Sequence, residues 1–305
     1  MERYTIRDFN RDFSDDAACL EWLKDYLYPE GIYCKNCKQV RKHHRVKSRP
    51  SFSCDFCGHH VHPTAGTIFH KSPTPLKLWF YAIYQMSSTR CGISAKQIQR
   101  ETGVTYKTAW RMWSQIRKLL LEDPGTMSGE VEVDETYVGG KRRYGSRKEA
   151  ARQWQKHKQI VAGHVERGGK VRAVHLPKGT ADSLLPNVRQ YILPSSIIYT
   201  DELPVYTNLT AEGYVHRRVN HTAKVYVEGD AHTNTIEGFF SLLKRGISGV
   251  YHSVSAKYLQ RYLDEYAFRY NHRKDEQHIF RTMLGNVKDV PAGPPSAGLL
   301  ETAHG

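Results

Sequence analysis

The stretch EVEVDETYVGG, Glu130 to Gly140, alternates valine with acids over its first half. A two-residue period belongs to a β-strand, and the glycine pair ends it. Asp134 sits near the middle, among Val131, Val133 and Val138. A charged side chain facing inward there is costly unless it binds something. A second acid stands in a similar place. SSIIYT, Ser195 to Thr200, reads as a buried apolar strand, and Asp201 follows where it ends, with Glu202 beside it.

The elements around these two strands predict a mixed α/β order. After the first strand comes a basic insert, KRRYGSRKEAARQWQKHK, with eight Lys or Arg against one Glu between Lys141 and Lys158. QIVAGHVERGG and KVRAVHLPK form a hairpin around Gly168-Gly169. TADSLLPNVRQYI is a helix, SSIIYT a strand and HRRVNH a short strand. NTIEGFFSLLKRG starts a further helix, and SAKYLQRYLDEYAFRYNHR is a longer one. The tail from Pro291 is rich in Pro, Gly and Ala and is expected to be disordered.

Upstream, SDDAACLEWLKDYLY (residues 14–28) reads as an amphipathic helix with Ser14 as its N-cap and Asp15 and Asp16 in the first turn. An apolar helix begins at about Leu76. Ser94 with Gln97 resembles a capping box, Gly103 breaks that helix, and Thr105 caps the next. In the second helix Ala109, Met112, Ile116 and Leu119 form one face, while Lys107, Arg111, Ser114 and Lys118 form the opposite one. Helix, short turn and basic-faced helix predict a helix-turn-helix, with Lys107, Arg111 and Lys118 toward DNA.

Six cysteines occur, and four form two close pairs, Cys34-Lys-Asn-Cys37 and Cys54-Asp-Phe-Cys57, with sixteen residues between them. Two knuckles of two thiolates each close a tetrahedron around one structural zinc ion, so a zinc ribbon is expected. His43, His44, His59, His60 and His62 are nearby substitutes of lower rank, because four cysteines already complete the shell. Cys19 and Cys91 read as small buried residues.

Lys and Arg number 45 against 31 Asp and Glu, a net charge of +14. That excess points to a polyanionic partner, nucleic acid before anionic membrane. No apolar run is long enough to span a bilayer, and MERYTIRDFNRDF has no apolar core of a secretory signal behind it. A cytoplasmic, nucleoid-associated protein without disulfides is therefore expected.

The acids then fall into a pattern. Glu237 follows Asp201 with thirty-five residues between, and Lys244 follows Glu237 by seven positions, close to two helical turns and so on one face. Asn234 and Ser241 share that face, and Phe239, Leu242 and Leu243 point away. Three carboxylates on a strand, a strand end and a helix suit two divalent cations, Mg²⁺ or Mn²⁺, which prefer oxygen ligands. Such a pair serves phosphodiester chemistry.

Asp134, Asp201, Glu237 and Lys244 resemble the DDE signature of transposases and retroviral integrases. The Cys-x-x-Cys ribbon, TAGTIFHKSPTPLKLWFYAI, VEVDETYVGG, HTNTIEGFFSLLKRG and YLDEYAFRYNHR, in that order, resemble the ISXO-like insertion-sequence transposases with an N-terminal zinc ribbon. The resemblance covers roughly residues 10–285. One departure is that the first knuckle reads Cys-Lys-Asn-Cys rather than Cys-Pro-x-Cys. The resemblance implies a ribonuclease-H-like mixed sheet flanked by helices, two Mg²⁺ (or Mn²⁺) ions per site, and DNA cleavage and transfer at element ends. It implies catalytic and magnesium-binding roles for Asp134, Asp201 and Glu237, with Lys244 near the transferred phosphate. Some relatives use Asn as the third residue, so Asn234 competes with Glu237.

The domain organisation expected is an N-terminal helix and zinc ribbon over 1–73 and a helix-turn-helix over 74–124. A catalytic domain follows over 129–285, with its insert at 141–158 and a tail at 286–305. In the insert Lys141, Arg142, Arg143, Arg147 and Lys148 are expected to touch phosphates. The partners expected are double-stranded DNA, both element ends and target, and further copies of the chain, as a dimer or larger on DNA; no membrane is expected. Two other readings are a metal-dependent nuclease of the same fold that cuts without joining, and a non-enzymatic DNA-binding regulator. A regulator has no need for spaced acids on an α/β core.

Overall fold

A computed structural model describes residues 4–139, 158–201, 203–219, 233–275 and 277–288. It divides into two compact units, one of residues 1–120 with 275–305, the other of 121–274. Among the described residues no helix is long and apolar enough to cross a membrane.

In the first unit, α1 (Ile6–Asp12) opens with a capping box in which Thr5 and Asp8 satisfy each other's backbone. Hydrophobic periodicity does not reveal this helix, because its apolar content is little more than Ile6 and Phe9. α2 (Asp16–Leu27) is capped by Asp15, whose Oδ1 accepts from the Ala18 N–H at 2.8 Å. The expected cap, Ser14, is one residue too early; a carboxylate suits the positive helix start better than a hydroxyl.

Two small sheets form the ribbon. β1 (Tyr33–Cys34) pairs with β2 (Gln39–Val40), and β3 (His43–Val46), β4 (Ser51–Cys54) and β5 (His60–Val61) form an antiparallel three-stranded sheet. α3 (Leu76–Ser88) follows, then α4 (Ala95–Thr102) and α5 (Tyr106–Ile116). Ser94 and Thr105 cap α4 and α5 as expected, and Gly103 ends α4 in the left-handed region at φ +71°. The basic face of α5 is only partly a face. Lys107 is exposed, but Ser114 is buried and Arg111 half-buried, its Nη2 donating to the His70 carbonyl at 3.2 Å. The helix packs on more than one side, so a two-faced periodicity overstates its solvent face.

The chain returns to this unit after Lys274. The helix Ile279–Gly285 buries Phe280 among Tyr4, Phe9, Phe13 and Tyr84, and Arg281 pairs with Asp12 at 2.6 Å. The catalytic domain was expected to run to residue 285, and the packing of Phe280 is what overrides that boundary.

The second unit is a five-stranded sheet. Its strands are β6 (Glu130–Val138), β7 (Gln159–Glu166), β8 (Val171–Leu176), β9 (Ile197–Thr200) and β10 (Val215–Arg218). Their order is β10-β9-β6-β7-β8, with β6, β7 and β8 antiparallel and β6, β9 and β10 parallel. α6 (Ala181–Tyr191) carries the chain from β8 to β9; α7 (Asn234–Gly246) and α8 (Ala256–Asn271) follow β10. This is the ribonuclease-H-like arrangement.

Each sheet face has its own core. Val131, Val133 and Ile198 meet Val188 of α6 and Ile192 just past its end, with Tyr206 and Leu209 from the 3₁₀ stretch Pro204–Glu212. On the other face Val161, Val165, Val171 and Ala173 meet Ile236, Phe239, Phe240 and Leu243 of α7 and Leu259, Leu263 and Tyr266 of α8. Alternation along β6 therefore sends Val131 and Val133 to the α6 face, and Glu132 and Asp134 to the α7 face.

Candidate active site

The register of the sheet places the first two acids together. β6 and β9 pair in parallel up to Glu132 opposite Tyr199. Asp134 and Asp201 lie two residues further along each strand, just where the pairing stops. Divergence of two parallel strands opens a crevice at their C-terminal ends. Asp201 is held by its own turn, its Oδ1 accepting from the Leu203 N–H at 3.1 Å.

The third acid arrives on α7. Glu237 lies in its first turn, and the Thr233 hydroxyl donates to Glu237 Oε1 at 3.2 Å. Two features let α7 sit close to β6. Opposite Asp134 on β7 is Gly163. A Cβ there would come within 2.6 Å of Ile236 Cδ1 and 2.7 Å of Phe240 Cζ, so only glycine admits the helix at this distance.

The other feature is Glu132, fully buried. The N-cap of α7, Thr233, makes no side-chain cap bond. Glu132 supplies it from across the sheet: its Oε2 accepts from the Thr235 and Ile236 N–H groups at 2.9 and 3.0 Å, and its Oε1 from the Thr235 hydroxyl at 2.9 Å. Arg167 binds the same Oε1 through Nε at 3.1 Å and reaches Glu130 through Nη1 at 2.8 Å. Neither Gly163 nor Glu132 was singled out in the sequence. For Glu132 the signal was present, an acid two residues from Asp134 on the same strand face.

Asp134, Asp201, Glu237 and Lys244 all line one open cleft of about 590 Å³, together with Glu135, Thr136, Thr233, Phe240, Ser241 and Arg245. Asn234, exposed at the helix start, is not among the lining residues. Glu135 is a fourth acid that the sequence reading passed over. Burial first, and then the charges of Asp201 and Asp134, push its carboxyl up to about 7, against the Tyr206 hydroxyl that donates to it at 2.9 Å. Glu202, and Lys141, Arg142, Arg143, Arg147 and Lys148 of the insert, lie outside the described residues.

The cysteines form the other cluster. The four sulfurs of Cys34, Cys37, Cys54 and Cys57 all lie within 4.8 Å of one another. Cys34 and Cys57 are 3.4 Å apart, and Cys37 and Cys54 3.9 Å. Around a zinc ion with bonds of about 2.3 Å, tetrahedral sulfurs stand roughly 3.8 Å apart, so the donor set and spacing fit zinc. Both knuckles close alike: the Lys38 N–H donates to the Cys34 carbonyl and the Gly58 N–H to the Cys54 carbonyl, with Lys38 and Gly58 at φ +54° and +72°. Of the nearby histidines, His43 Nδ1 bonds the Arg41 carbonyl and His60 Nδ1 the Ser51 hydroxyl. Among the described residues this is the group of three or more such donors drawn so close, and the acids ring their cleft more loosely. Oxygen donors around an open cleft suit hard cations that keep several waters.

A mixed five-stranded sheet with acids at the divergence of its central parallel strands defines a ribonuclease-H-like domain of the DDE kind. Residues 126–271 match the model of the ISXO2-like transposase domain, and the second unit is such a domain. An uncharacterized protein in transposable element ISH50 of Halobacterium salinarum is 27% identical over 291 residues, which is 90% of this chain and 97% of that protein. An uncharacterized transposase-like protein of Haemophilus influenzae is 29% identical over 110 residues, 36% of this chain and 88% of its own. A chain of the simian T-cell lymphotropic virus intasome, solved in complex with PP2A regulatory subunit B56 gamma, aligns over 71% of this chain and 74% of its own at 16% identity. Its TM-score is 0.32, too distant a likeness to bear on function.

Proposed function

We propose that this chain is a DNA transposase that cleaves and transfers DNA strands at the ends of an insertion sequence with the help of divalent metal. The observation that carries the reading is the convergence of Asp134, Asp201, Glu237 and Lys244, from two strands and a helix, on one open cleft. Asp134, Asp201 and Glu237 would hold two Mg²⁺ or Mn²⁺ ions. Bound there, the ions would activate an attacking oxygen and stabilise the leaving one.

The chain's own groups do the rest. Asp134 stands on the central strand and Asp201 in a hydrogen-bonded turn, so both carboxylates are placed in advance. Thr233 orients Glu237. Lys244 and Arg245 put two positive charges on the same cleft and would hold the phosphate being transferred. Lys107, exposed at the start of α5, and the basic insert would bind DNA elsewhere. Joining two element ends calls for more than one cleft, so the working form is a dimer or larger on DNA, in the cytoplasm with the nucleoid.

Asp134→Asn, Asp201→Asn and Glu237→Gln are each expected to lower strand cleavage by about 10²–10³-fold or more, while duplex binding and the melting temperature hold. Mg²⁺ should raise the melting temperature of the wild type more than that of any of the three. Retained cleavage in Glu237→Gln with loss in Asn234→Ala would move the third ligand to Asn234. Cleavage by all three acid variants would overturn the metal site and leave a DNA-binding regulator. Cleavage without joined products would leave a nuclease.

A further inference from the structure

We infer that the zinc ribbon is itself a seat for the DNA backbone, through a groove along its β3–β4 hairpin. The ribbon was expected to be structural, and none of its side chains was assigned a DNA contact. Yet it holds much of the chain's positive charge. Residues 31–62 carry Lys35, Lys38, Arg41, Lys42, Arg45, Lys47 and Arg49 against one acid, Asp55. Four thiolates on one zinc ion would subtract two charges, and the segment would stay strongly positive.

The charge is gathered on a shaped surface. A groove of about 830 Å³ runs between the hairpin and the loop leading into α3. Its walls carry Arg45, Lys47, Arg49, His62, His70 and Lys71. Its floor is apolar and firm: Phe69, Leu76 and Trp79 are buried, and the Trp79 indole donates to Ser72 Oγ at 3.0 Å. The one carboxylate lining it, Asp16, is engaged, its Oδ1 accepting from the Lys77 N–H at 2.8 Å.

Three observations say that this surface expects an anion. Among the described residues Arg45, Lys47, Arg49 and Lys71 form no ion pair, so four cations lining one groove stand without an acidic partner. The Arg45 guanidinium is partly withdrawn from water, with Nε and Nη1 buried and bonded to nothing. Leaving such donors unmet is costly, and phosphate oxygens along the groove would set an opposite charge beside the guanidinium. Lys71 is held at φ +50°, in the left-handed region, where a lysine is strained. His70 adds a neutral donor, since its Nδ1 accepts from the Gly66 N–H at 3.2 Å and its proton then sits on Nε2.

A row of cations and donors, with its lone carboxylate already bonded, matches a ligand that offers acceptors repeatedly and one sign of charge. Duplex DNA presents that, at about one negative charge per 1.7 Å of axis. Backbone contacts of this kind position a protein and do not read bases. The groove therefore fixes where the duplex lies, and base selection falls to other residues such as Lys107.

This inference rests on the DNA-handling reading above, and its test separates the two. The full-length protein carrying Lys47→Gln, Arg49→Gln and Lys71→Gln together is compared with the wild type on an element-end duplex and on a random duplex. Binding is followed by fluorescence anisotropy from about 50 to 200 mM NaCl, where phosphate contacts dominate the salt response. All three side chains are exposed, so zinc content and melting temperature should not change. The expected result is a log–log slope shallower by about 2.7, three contacts at ~0.9 each, with equal losses on both duplexes. An unchanged slope, or a loss confined to the element end, overturns the groove as a backbone seat. A wild type that binds no duplex overturns both readings. A wild type that binds with the full slope change but never cleaves in Mg²⁺ keeps the groove and removes the transposase.

Discussion

The two clusters of ligand side chains are built in opposite ways. In the ribbon, four sulfurs come from two knuckles, each a turn of five residues, Cys34–Lys38 and Cys54–Gly58, closed by its own backbone bond. In the cleft, the acids come from positions 67 and 36 residues apart (201 − 134 and 237 − 201) and meet only because a sheet and a helix are assembled first. The ribbon site is local, and a zinc ion held there would supply the folding energy. The cleft is a by-product of tertiary packing, and its scaffold must stand without metal because acids left together repel. One site should therefore fail by losing its ion, the other by losing its helix.

Removing the ribbon's ligands is the most drastic way to test this difference. Cys34→Ser with Cys54→Ser should abolish zinc binding and unfold the ribbon, since structural zinc contributes on the order of 10 kcal/mol. Zinc content falling from one per chain to none, with protease sensitivity confined to residues before 75, is the expected result. Unchanged zinc content would sink the ribbon.

The matching lesion in the second unit is Glu132→Ala, at a residue that does not itself line the cleft. It uncaps α7 and takes from Arg167 the buried one of its two carboxylates, so a loss of about 3–5 kcal/mol in urea unfolding is expected, with zinc retained. A loss below about 1 kcal/mol would mean that α7 is held by its apolar face alone. Gly163→Ala is milder. Its methyl must displace Ile236 and Phe240, for about 1–3 kcal/mol, and cleavage should fall further than stability predicts because Glu237 moves with the helix.

The gentlest difference is in the response to acid. His164 on β7 is fully buried, and burial, with the nearby Arg172 charge adding to it, lowers its pKa from 6.5 to about 3. Between those values the unfolded chain takes up a proton that the folded sheet refuses. Stability of the second unit is thus whole above pH 6.5 and is lost as pH falls through that window, at no more than ~1.4 kcal/mol per pH unit. His164→Phe should flatten that slope in melts between pH 7 and about 5; an unaltered slope would place the proton elsewhere.

What could be read from the sequence follows the same division. The knuckles, the Ser94 and Thr105 caps and the strands around Asp134 and Asp201 are set within a few residues, and each was visible. The long-range pieces were not. Glu132 looks like any alternating acid until α7, 103 residues on, delivers two N–H groups to it. Gly163 looks like a flaw in a strand until Phe240 lies against it. Ser114 was assigned to an open face because helical periodicity gives directions around an axis and says nothing of how many neighbours crowd it.

Glu132 also bears on electrostatic potential. An uncapped helix start carries roughly half a positive charge, and the start of α7 lies beside the cleft. Left bare, it would repel cations from the acids that are to receive them. Glu132 puts a buried negative charge on that start, and Arg167 cancels one charge of the Glu130–Glu132 pair. The carboxylate that fastens α7 to the sheet thus also offsets the positive helix start beside the cleft.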